Sequence, residues 1–331
     1  MSSFSAPVIL TRCDHLAVFA ADGIDASTFL QSQLTQDVAS VSPEKAAMAG
    51  FCTAQGRLWA SMLLTQTTEP EGFRGVVSSD LMESFLKRLR MFVLRSKVAI
   101  NPMSQTQVYG LEISANDLEP MSALLGLPLP PTPWASVTSP LGTWLNMPGG
   151  KDYRGIRCLW LASTDQFDQL LSKLGEHAQL LASANAWRVQ DIKAGLPWVE
   201  QATQDLFIAQ TLNLDLIGGV SFTKGCYPGQ EVIARAHYRG TVKRRMHMAS
   251  ITGTGADLKP GMDVFEASEP DNPVGRLISV AQDDQVNETA NGLTWVLFEA
   301  PFKSLDSGSL RAGSNAGPEL STQLLPYEMT A

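Results

Sequence analysis

The chain has 331 residues, of which 44% are hydrophobic and 18% are charged, and its formal net charge is −8. This length suffices for two or three domains of roughly 100–150 residues, and the composition excludes a disordered chain. The negative charge argues against general coating of nucleic acid or anionic lipid by the whole surface.

Targeting and membrane signals are missing from the sequence. No apolar run reaches the roughly 20 residues that a membrane-spanning helix needs. Residues 1–7 lack the basic start and apolar stretch of a secretory signal. We therefore expect a monomer of the cytoplasm with no membrane partner.

The N-terminal part of the chain predicts a mixture of strands and helices. Residues 16–20 are typical of a short strand, and Asp25 is a candidate N-cap for a helix that extends to Leu34. Residues 50–64 contain two apolar stretches around a turn at Gln55–Gly56, which predicts a hairpin.

The middle of the chain begins with a stretch rich in proline and glycine, residues 126–150, which predicts a loop or linker. A strand is expected over residues 156–162, followed by a long amphipathic helix over 164–181. A further helix from about Ser183 should end at Gly195.

The pattern changes after Gly240, where short alternating segments are separated by Gly, Pro, Asp and Asn. Such segments are typical of a small antiparallel barrel or sandwich. Strands mixed with helices, followed by an all-β tail, predict an α+β protein with a separate C-terminal domain.

The four cysteines are Cys13, Cys52, Cys158 and Cys226, and none forms a C-x-x-C pair with another. A zinc site or a protein-held cluster normally shows closely spaced thiolates, so we expect no protein-held metal. The first three lie in apolar or strand-like surroundings and are predicted to be small buried side chains.

Cys226 lies in a different setting, between Gly225 and Gly229. Glycines allow turns that are closed to other residues, which would leave the thiol on an open loop. The ammonium of nearby Lys224 would favour the thiolate. A reactive thiol is one interpretation, and an inert loop cysteine is the other.

Basic residues are concentrated around this cysteine, and Glu231 is the one acid among them. Arg235 and Arg239 are four residues apart, so on a helix they would share a face and could bind an anion together. A solvated face or ion pairs with acidic residues elsewhere is the alternative. The basic residues are Lys224, Arg235, Arg239, Lys243, Arg244 and Arg245.

Residues 224–231 read K-G-C-Y-P-G-Q-E, which resembles the signature K-G-C-[YF]-x-G-Q-E of the YgfZ family of folate-binding proteins, relatives of the glycine-cleavage T-protein. Residues 34–38 are similar to the family's L-T-x-D-V. Trp187 followed by residues 194–197 is similar to its W…A-G-x-P, and residues 234–240 to its A-R-x-x-x-R-G.

This resemblance implies a T-protein-like fold, in which three domains form a ring around a folate-sized hole. It implies ferredoxin-like α/β subdomains and a C-terminal antiparallel β-barrel. The expected boundaries are 1–125 for a folate-binding domain, 126–240 for a second α+β domain with the K-G-C-Y loop, and 241–331 for the barrel.

The resemblance also implies a function: binding of tetrahydrofolate or a derivative, and support for assembly or repair of iron–sulfur clusters in client enzymes, including tRNA-modifying enzymes. Cys226 would be the working thiol. Trp187 would stack on the folate ring, and Arg235 and Arg239 would bind the carboxylates of its glutamyl tail. The motif loop comprises Lys224, Gly225, Tyr227, Gly229, Gln230 and Glu231.

Three positions depart from the T-protein pattern and leave other functions open. Ser61 stands where T-proteins carry a catalytic aspartate, Lys193 replaces an acid before Ala-Gly, and Leu16 replaces an aromatic residue. The missing acid counts against a folate-dependent aminomethyltransferase. An RNA-binding module ranks last, because a stacking platform needs several interleaved aromatic residues and the basic segment, residues 224–245, contains only Tyr227 and Tyr238.

Overall fold

The computed structural model describes residues 4–238, 240, 242–253, 255, 257–284, 292–306 and 309–329. Two compact units share the chain. The first comprises Met1–Gln31, Asp37–Ala47 and Met62–Trp187, and the second comprises Ser32–Gln36, Met48–Ser61 and Arg188–Ala331. The three predicted domain boundaries stay predictions.

The described residues form a mixture of strands and helices, as predicted for an α+β protein. The strands are β1 Val8–Arg12, β2 Leu16–Asp22, β3 Ala47–Cys52, β4 Leu58–Thr68, β5 Glu71–Ser78, β6 Ala99–Pro102, β7 Gln107–Ile113, β8 Ser136–Ser139, β9 Gly142–Met147, β10 Ile156–Ala162, β11 Ala178–Leu181, β12 Arg244–Thr252, β13 Asp263–Glu266, β14 Glu269–Asp283, β15 Leu293–Pro301, β16 Leu310–Ala312 and β17 Ser321–Gln323. The helices are α1 Ala26–Gln31, α2 Met82–Arg90, α3 Leu118–Leu125, α4 Thr164–Leu174, α5 Asn185–Lys193, α6 Gln230–Tyr238 and α7 Phe302–Asp306.

A six-stranded sheet of order β11-β1-β7-β10-β9-β8 carries a hydrophobic core of the first unit. Strand β10 is buried along its whole length, as its nearly continuous apolar sequence requires. Trp144 of β9 and Trp160 of β10 are cross-strand partners whose rings stack 4.7 Å apart. Aromatic pairs of this kind bury large apolar areas and fix the strand register.

A second sheet has the order β3-β4-β5-β2-β6. The predicted strand at residues 16–20 is confirmed as part of β2, and the predicted hairpin is confirmed as β3 and β4. Gly56 in the turn has φ +75°, a left-handed conformation that favours glycine.

The third sheet lies in the second unit, is antiparallel, and has the order β16-β13-β14-β15-β12-β17. Ile251 of β12 and Val296 and Phe298 of β15 are fully or almost fully buried and belong to its hydrophobic core. The all-β character predicted after Gly240 is therefore confirmed for the described residues, apart from the short helix α7.

Two predictions for the middle of the chain are wrong. Residues 126–150 are not simply a linker, because β8 and β9 pair there and β9 also pairs with β10. The prolines lie outside the paired residues, where they remove no ladder hydrogen bond. The helix predicted over 164–181 ends at Leu174, and β11 follows beside β1.

The predicted helix stop at Gly195 is confirmed, since α5 ends at Lys193 and Gly195 has φ +67°. The helix predicted from Asp25 to Leu34 is shorter than expected, because α1 ends at Gln31. No helix in the described part of the chain is both long and apolar enough to cross a bilayer.

Candidate functional site

Cys226 is exposed, whereas Cys13, Cys52 and Cys158 are buried. The predicted difference between the cysteines is therefore confirmed. Burial raises the pKa of Cys52 and of Cys158 to about 12, because the thiolate is poorly solvated inside the protein. Of the four thiols, that of Cys226 is the one that a partner in solution can reach.

Lys224 fixes the loop that carries Cys226. Its Nζ donates hydrogen bonds to the backbone oxygens of Leu34 at 2.6 Å and Gln36 at 2.9 Å, and lies 5.1 Å from the centre of the Tyr227 ring. Charge-assisted bonds of this length are among the stronger ones in proteins. The ammonium of Lys224 thus anchors the loop through these two hydrogen bonds. Its expected effect on the Cys226 thiolate stays a prediction.

The segment that receives Lys224 is itself held by buried polar side chains. Thr35 Oγ1 donates to the backbone oxygen of Gly219 at 2.6 Å and accepts from the N–H of Gly50 at 2.7 Å. The backbone N–H of Ser221 donates to the oxygen of Thr35 at 2.9 Å. The start of the loop is therefore tied to residues nearly two hundred positions earlier.

Tyr227, next to Cys226, has the opposite environment. Its ring is 6% exposed, and burial, followed by the charge of Cys52, raises the pKa of its phenol. A buried aromatic ring anchors the loop by removing apolar area from water. The loop is thus fixed by Tyr227 while it leaves the neighbouring thiol open.

Gly229 ends the loop at a close backbone approach. It has φ +81°, and a Cβ there would lie 2.5 Å from the Thr53 oxygen and 2.6 Å from Gly56 Cα. The glycine is therefore required, as predicted. The same expectation is wrong for Gly225, where φ is ordinary and a Cβ would meet open space.

Helix α6 follows the loop and carries one of the two predicted arginines. Arg235 is exposed and pairs with Glu231 at 3.0 Å, one helical turn away. An exposed pair of this kind contributes little stability, so the guanidinium can exchange this partner for another anion. The second predicted arginine, Arg239, lies outside the described residues.

Gln230, the first residue of α6, contacts the start of the loop. Its Nε2 donates a hydrogen bond to the backbone oxygen of Lys224 at 3.5 Å.

An aromatic contact that the sequence did not predict joins the two ends of this region. The rings of Phe222 and His237 stack 3.7 Å apart, and Tyr238 meets His237 edge-on at 4.7 Å. His237 and Tyr238 are exposed. The spacing of fifteen residues between Phe222 and His237 gives no periodic signal from which this contact could be read.

Two of the basic residues beyond the helix, Arg244 and Arg245, have carboxylate partners. Arg244 binds Glu299, and the buried side chain of Arg245 binds Asp215 at 2.7 Å. Arg245 also donates to the Gln210 oxygen at 2.8 Å. For these two arginines the structure favours the ion-pair alternative.

Trp187 belongs to the first unit and is fully buried. Its ring packs on the backbone of Gly110, and the guanidinium carbon of Arg157 lies 4.2 Å from the ring centre. Its indole Nε1 has no hydrogen-bond partner among the described residues. The predicted contact with folate stays a prediction.

Ser61, which the sequence analysis matched to the T-protein aspartate, is fully buried and joins two backbone groups. Its Oγ donates to the oxygen of Pro197 and accepts from the N–H of Val199, both at 2.8 Å. This side chain therefore connects β4 to the segment after Gly195. The neutral serine hydroxyl does not supply the negative charge that an aspartate carboxylate would supply at this position.

The other two departures also have structural roles. Lys193 lies 3.6 Å from Asp283, and its Nζ is 4.5 Å from the centre of the Trp295 ring. Leu16 is a buried residue at the start of β2. Among the described residues, no three His, Cys, Asp or Glu side chains are grouped closely enough to hold a metal ion.

Comparisons with known proteins confirm the resemblance predicted from the K-G-C-Y loop. The chain is 28% identical over 334 residues, 99% of it and 95% of the relative, to the tRNA-modifying protein YgfZ of Yersinia pestis strain Pestoides F. It is also 28% identical over 327 residues, 98% of it and 93% of the relative, to the tRNA-modifying protein YgfZ of Pectobacterium carotovorum. No family model matches the chain.

The fold is that of the glycine cleavage T-protein. The crystal structure of glycine cleavage system aminomethyltransferase T from Bartonella henselae superimposes with a TM-score of 0.70, covering 97% of this chain and 86% of that chain. The sequence identity of the pair is 15%. At that level the likeness concerns the fold.

Proposed function

We propose that this chain is a folate-binding accessory protein that supports assembly or repair of iron–sulfur clusters in client enzymes, with Cys226 as the working thiol. The observation that carries the proposal is the contrast between an exposed Cys226 and the firmly anchored loop that presents it. A thiol held in this way is accessible to a large partner and keeps a fixed position.

The client class follows from the relatives. The chain matches proteins named tRNA-modifying over nearly its whole length, so we infer that its clients include enzymes that modify tRNA. Direct tRNA binding is a weaker proposal, because Arg244 and Arg245 are already paired with acids. The T-protein fold supports the finer proposal of a three-domain ring around a folate-sized hole.

A reduced folate is the proposed cofactor. The buried indole N–H of Trp187 has no acceptor among the described residues, and a pterin carbonyl or ring nitrogen is the kind of group that would satisfy it. Arg235 and Arg239 are the proposed partners of the glutamyl tail. If so, polyglutamylated folates bind more tightly than the monoglutamate, and the advantage shrinks with added salt.

Aminomethyl transfer is the second candidate, supported by the shared fold. It is less favoured because both bonds of the Ser61 hydroxyl go to backbone groups, and a hydroxyl carries no charge to stabilise the folate nitrogen. Turnover of an aminomethyl donor by the purified protein with tetrahydrofolate would establish it instead.

The test of the proposal is rescue of a bacterial strain that lacks its own copy of this protein family. The wild-type chain should restore the activity of its iron–sulfur tRNA-modifying enzymes, and Cys226→Ser should not. Thr223→Ala is the matched control, since it changes an exposed residue of the same loop without touching the thiol. Full rescue by Cys226→Ser would show that the thiol is not the working group.

A further inference from the structure

A cavity of about 350 Å³ lies in the second unit, away from the K-G-C-Y loop residues, none of which lines it. Its volume is at the lower end of the range for small-molecule sites. Three arginines, two carboxylates and a group of apolar side chains meet there. The lining residues are Arg57, Leu206, Phe207, Ile208, Thr211, Arg244, Asp263, Pro273, Gly275, Arg276 and Glu299.

Four of the charged residues form a row across neighbouring strands, with alternating sign. Asp263 of β13 is the cross-strand partner of Arg276 of β14, and Arg276 is the partner of Glu299 of β15. Glu299 binds Arg244 of β12, whose Nη2 also lies 2.9 Å from the second carboxylate oxygen. Arg276 Nε lies 3.1 Å from Asp263 Oδ1.

Two of the three guanidinium groups, those of Arg244 and Arg57, are also held by backbone oxygens. Arg244 Nη2 donates to the Val274 oxygen at 2.6 Å. Arg57, from the turn after β3, donates through Nη1 to the oxygens of Asp205 and Leu206, both at 3.2 Å. Side chains already held in this way lose little conformational entropy when a ligand arrives.

The charges in the cavity do not cancel. Three guanidinium groups face two carboxylates, which leaves one positive charge, and Arg57 is the arginine without a carboxylate partner among the described residues. A monoanion would balance this charge. A dianion such as phosphate would meet repulsion from Asp263 and Glu299.

The cavity lining also includes four apolar residues, Leu206, Phe207, Ile208 and Pro273. Gly275 also lines the cavity, and a side chain there would collide with the backbone oxygen of Glu299. A ligand that fills this space therefore needs an apolar body beside its anionic group.

We propose that this cavity binds a small monocarboxylate with an apolar body, its carboxylate paired with Arg57 and Arg276. Guanidinium groups bind carboxylates in a two-pronged geometry that neutral isosteres cannot match. The site is independent of the folate proposal.

The test is a titration with benzoate, with benzamide as the neutral isostere and inorganic phosphate as the anion without an apolar body. Binding is followed by the 15N shifts of arginine side-chain Nε–Hε groups. Benzoate should bind saturably, and Arg57→Gln or Arg276→Gln should weaken it at least tenfold. Arg311→Gln is the control, because Arg311 also lies on this sheet, 3.9 Å from Glu319, outside the cavity lining.

Three results would overturn the proposal. Equal binding of benzoate and benzamide would mean that the carboxylate does not contribute to the affinity. Phosphate binding as tightly as benzoate would mean that the site recognises negative charge alone and not the apolar body. If Arg57→Gln and Arg276→Gln both fold and bind benzoate as tightly as the wild type, these arginines make contacts within the protein only and do not bind the ligand.

Discussion

The Nζ atom of Lys224 lies 2.6 Å from the backbone oxygen of Leu34, which is 190 residues earlier in the chain. This contact joins two segments that the sequence singled out separately, the L-T-x-D-V stretch and the K-G-C-Y loop. The carbonyl of Gln36 accepts from the same nitrogen. Two motifs that are far apart in the sequence are therefore in direct contact in the structure.

Loss of the Lys224 ammonium should loosen the Cys226 loop and lower stability. Lys224→Met keeps the alkyl chain but leaves the oxygens of Leu34 and Gln36 without their donor, at a cost of about 2–3 kcal/mol in the free energy of unfolding. Urea denaturation measures this change. Lys243→Met is the control, since Lys243 is exposed. Equal stability of the two variants would contradict an anchoring role.

The sequence predicted some features of the loop, such as the exposure of Cys226, and missed those that depend on distant segments. Glycine is needed at Gly229 partly because of its positive φ and partly because Thr53 and Gly56 approach it closely, whereas Gly225 has an ordinary φ and open space around it. The stacking of Phe222 on His237 and the partners of Arg245 depend on tertiary packing, which no spacing encodes.

The same distinction applies to the fold. Strands with strong apolar patterns, such as β2 and β10, were predicted. Strands β8 and β9 were not predicted, because the many prolines around them indicated a loop and the apolar stretches between those prolines are short. The helix predicted over 164–181 was too long, since the apolar residues of β11 continue the helical period by chance.

Ser61 should prove to be a structural residue. Ser61→Ala removes the acceptor of the Val199 N–H and the donor to the Pro197 oxygen in a fully buried place, which should lower the free energy of unfolding by about 1–3 kcal/mol. Ser314→Ala, at an exposed serine of the same unit, should change it by less than about 0.5 kcal/mol. Thermal or urea unfolding compares the two.

Trp187 should report folate binding. A reduced folate should quench tryptophan fluorescence, and Trp187→Phe should reduce the quenching because phenylalanine has no indole N–H to donate to the folate. Trp144→Phe is the matched control, as Trp144 is equally buried in the same unit and stacks on Trp160. If the two variants are quenched alike, Trp187 does not contact the folate.

Acid should destabilise the C-terminal sheet through His247. Burial lowers the pKa of His247 to about 4 in the folded protein, against its ordinary value of 6.5. The unfolded chain therefore binds a proton first, so the stability is full above pH 6.5 and falls as the pH drops towards 4, by up to about 3 kcal/mol. His247→Gln should flatten this part of the pH profile of unfolding; an unchanged slope would assign it to other groups.

Alkylation offers the most direct check on Cys226. In the folded protein at pH 8, iodoacetamide should modify Cys226 within minutes and leave Cys13, Cys52 and Cys158 unmodified, because burial raises the pKa of Cys52 and Cys158 to about 12 and shields them from the reagent. Mass spectrometry of tryptic peptides measures the extent at each site.

Unfolding in urea should make all four thiols react, which shows that protection depends on structure. Lys224→Met should keep Cys226 reactive, since the thiol lies on the exposed side of the loop, but the rate should change if the ammonium also favours the thiolate. A rate ratio near one would assign Lys224 to anchoring alone. Slow labelling of Cys226 in the wild-type protein would mean that the thiol is shielded in solution, and the proposal of a working thiol would fall with it.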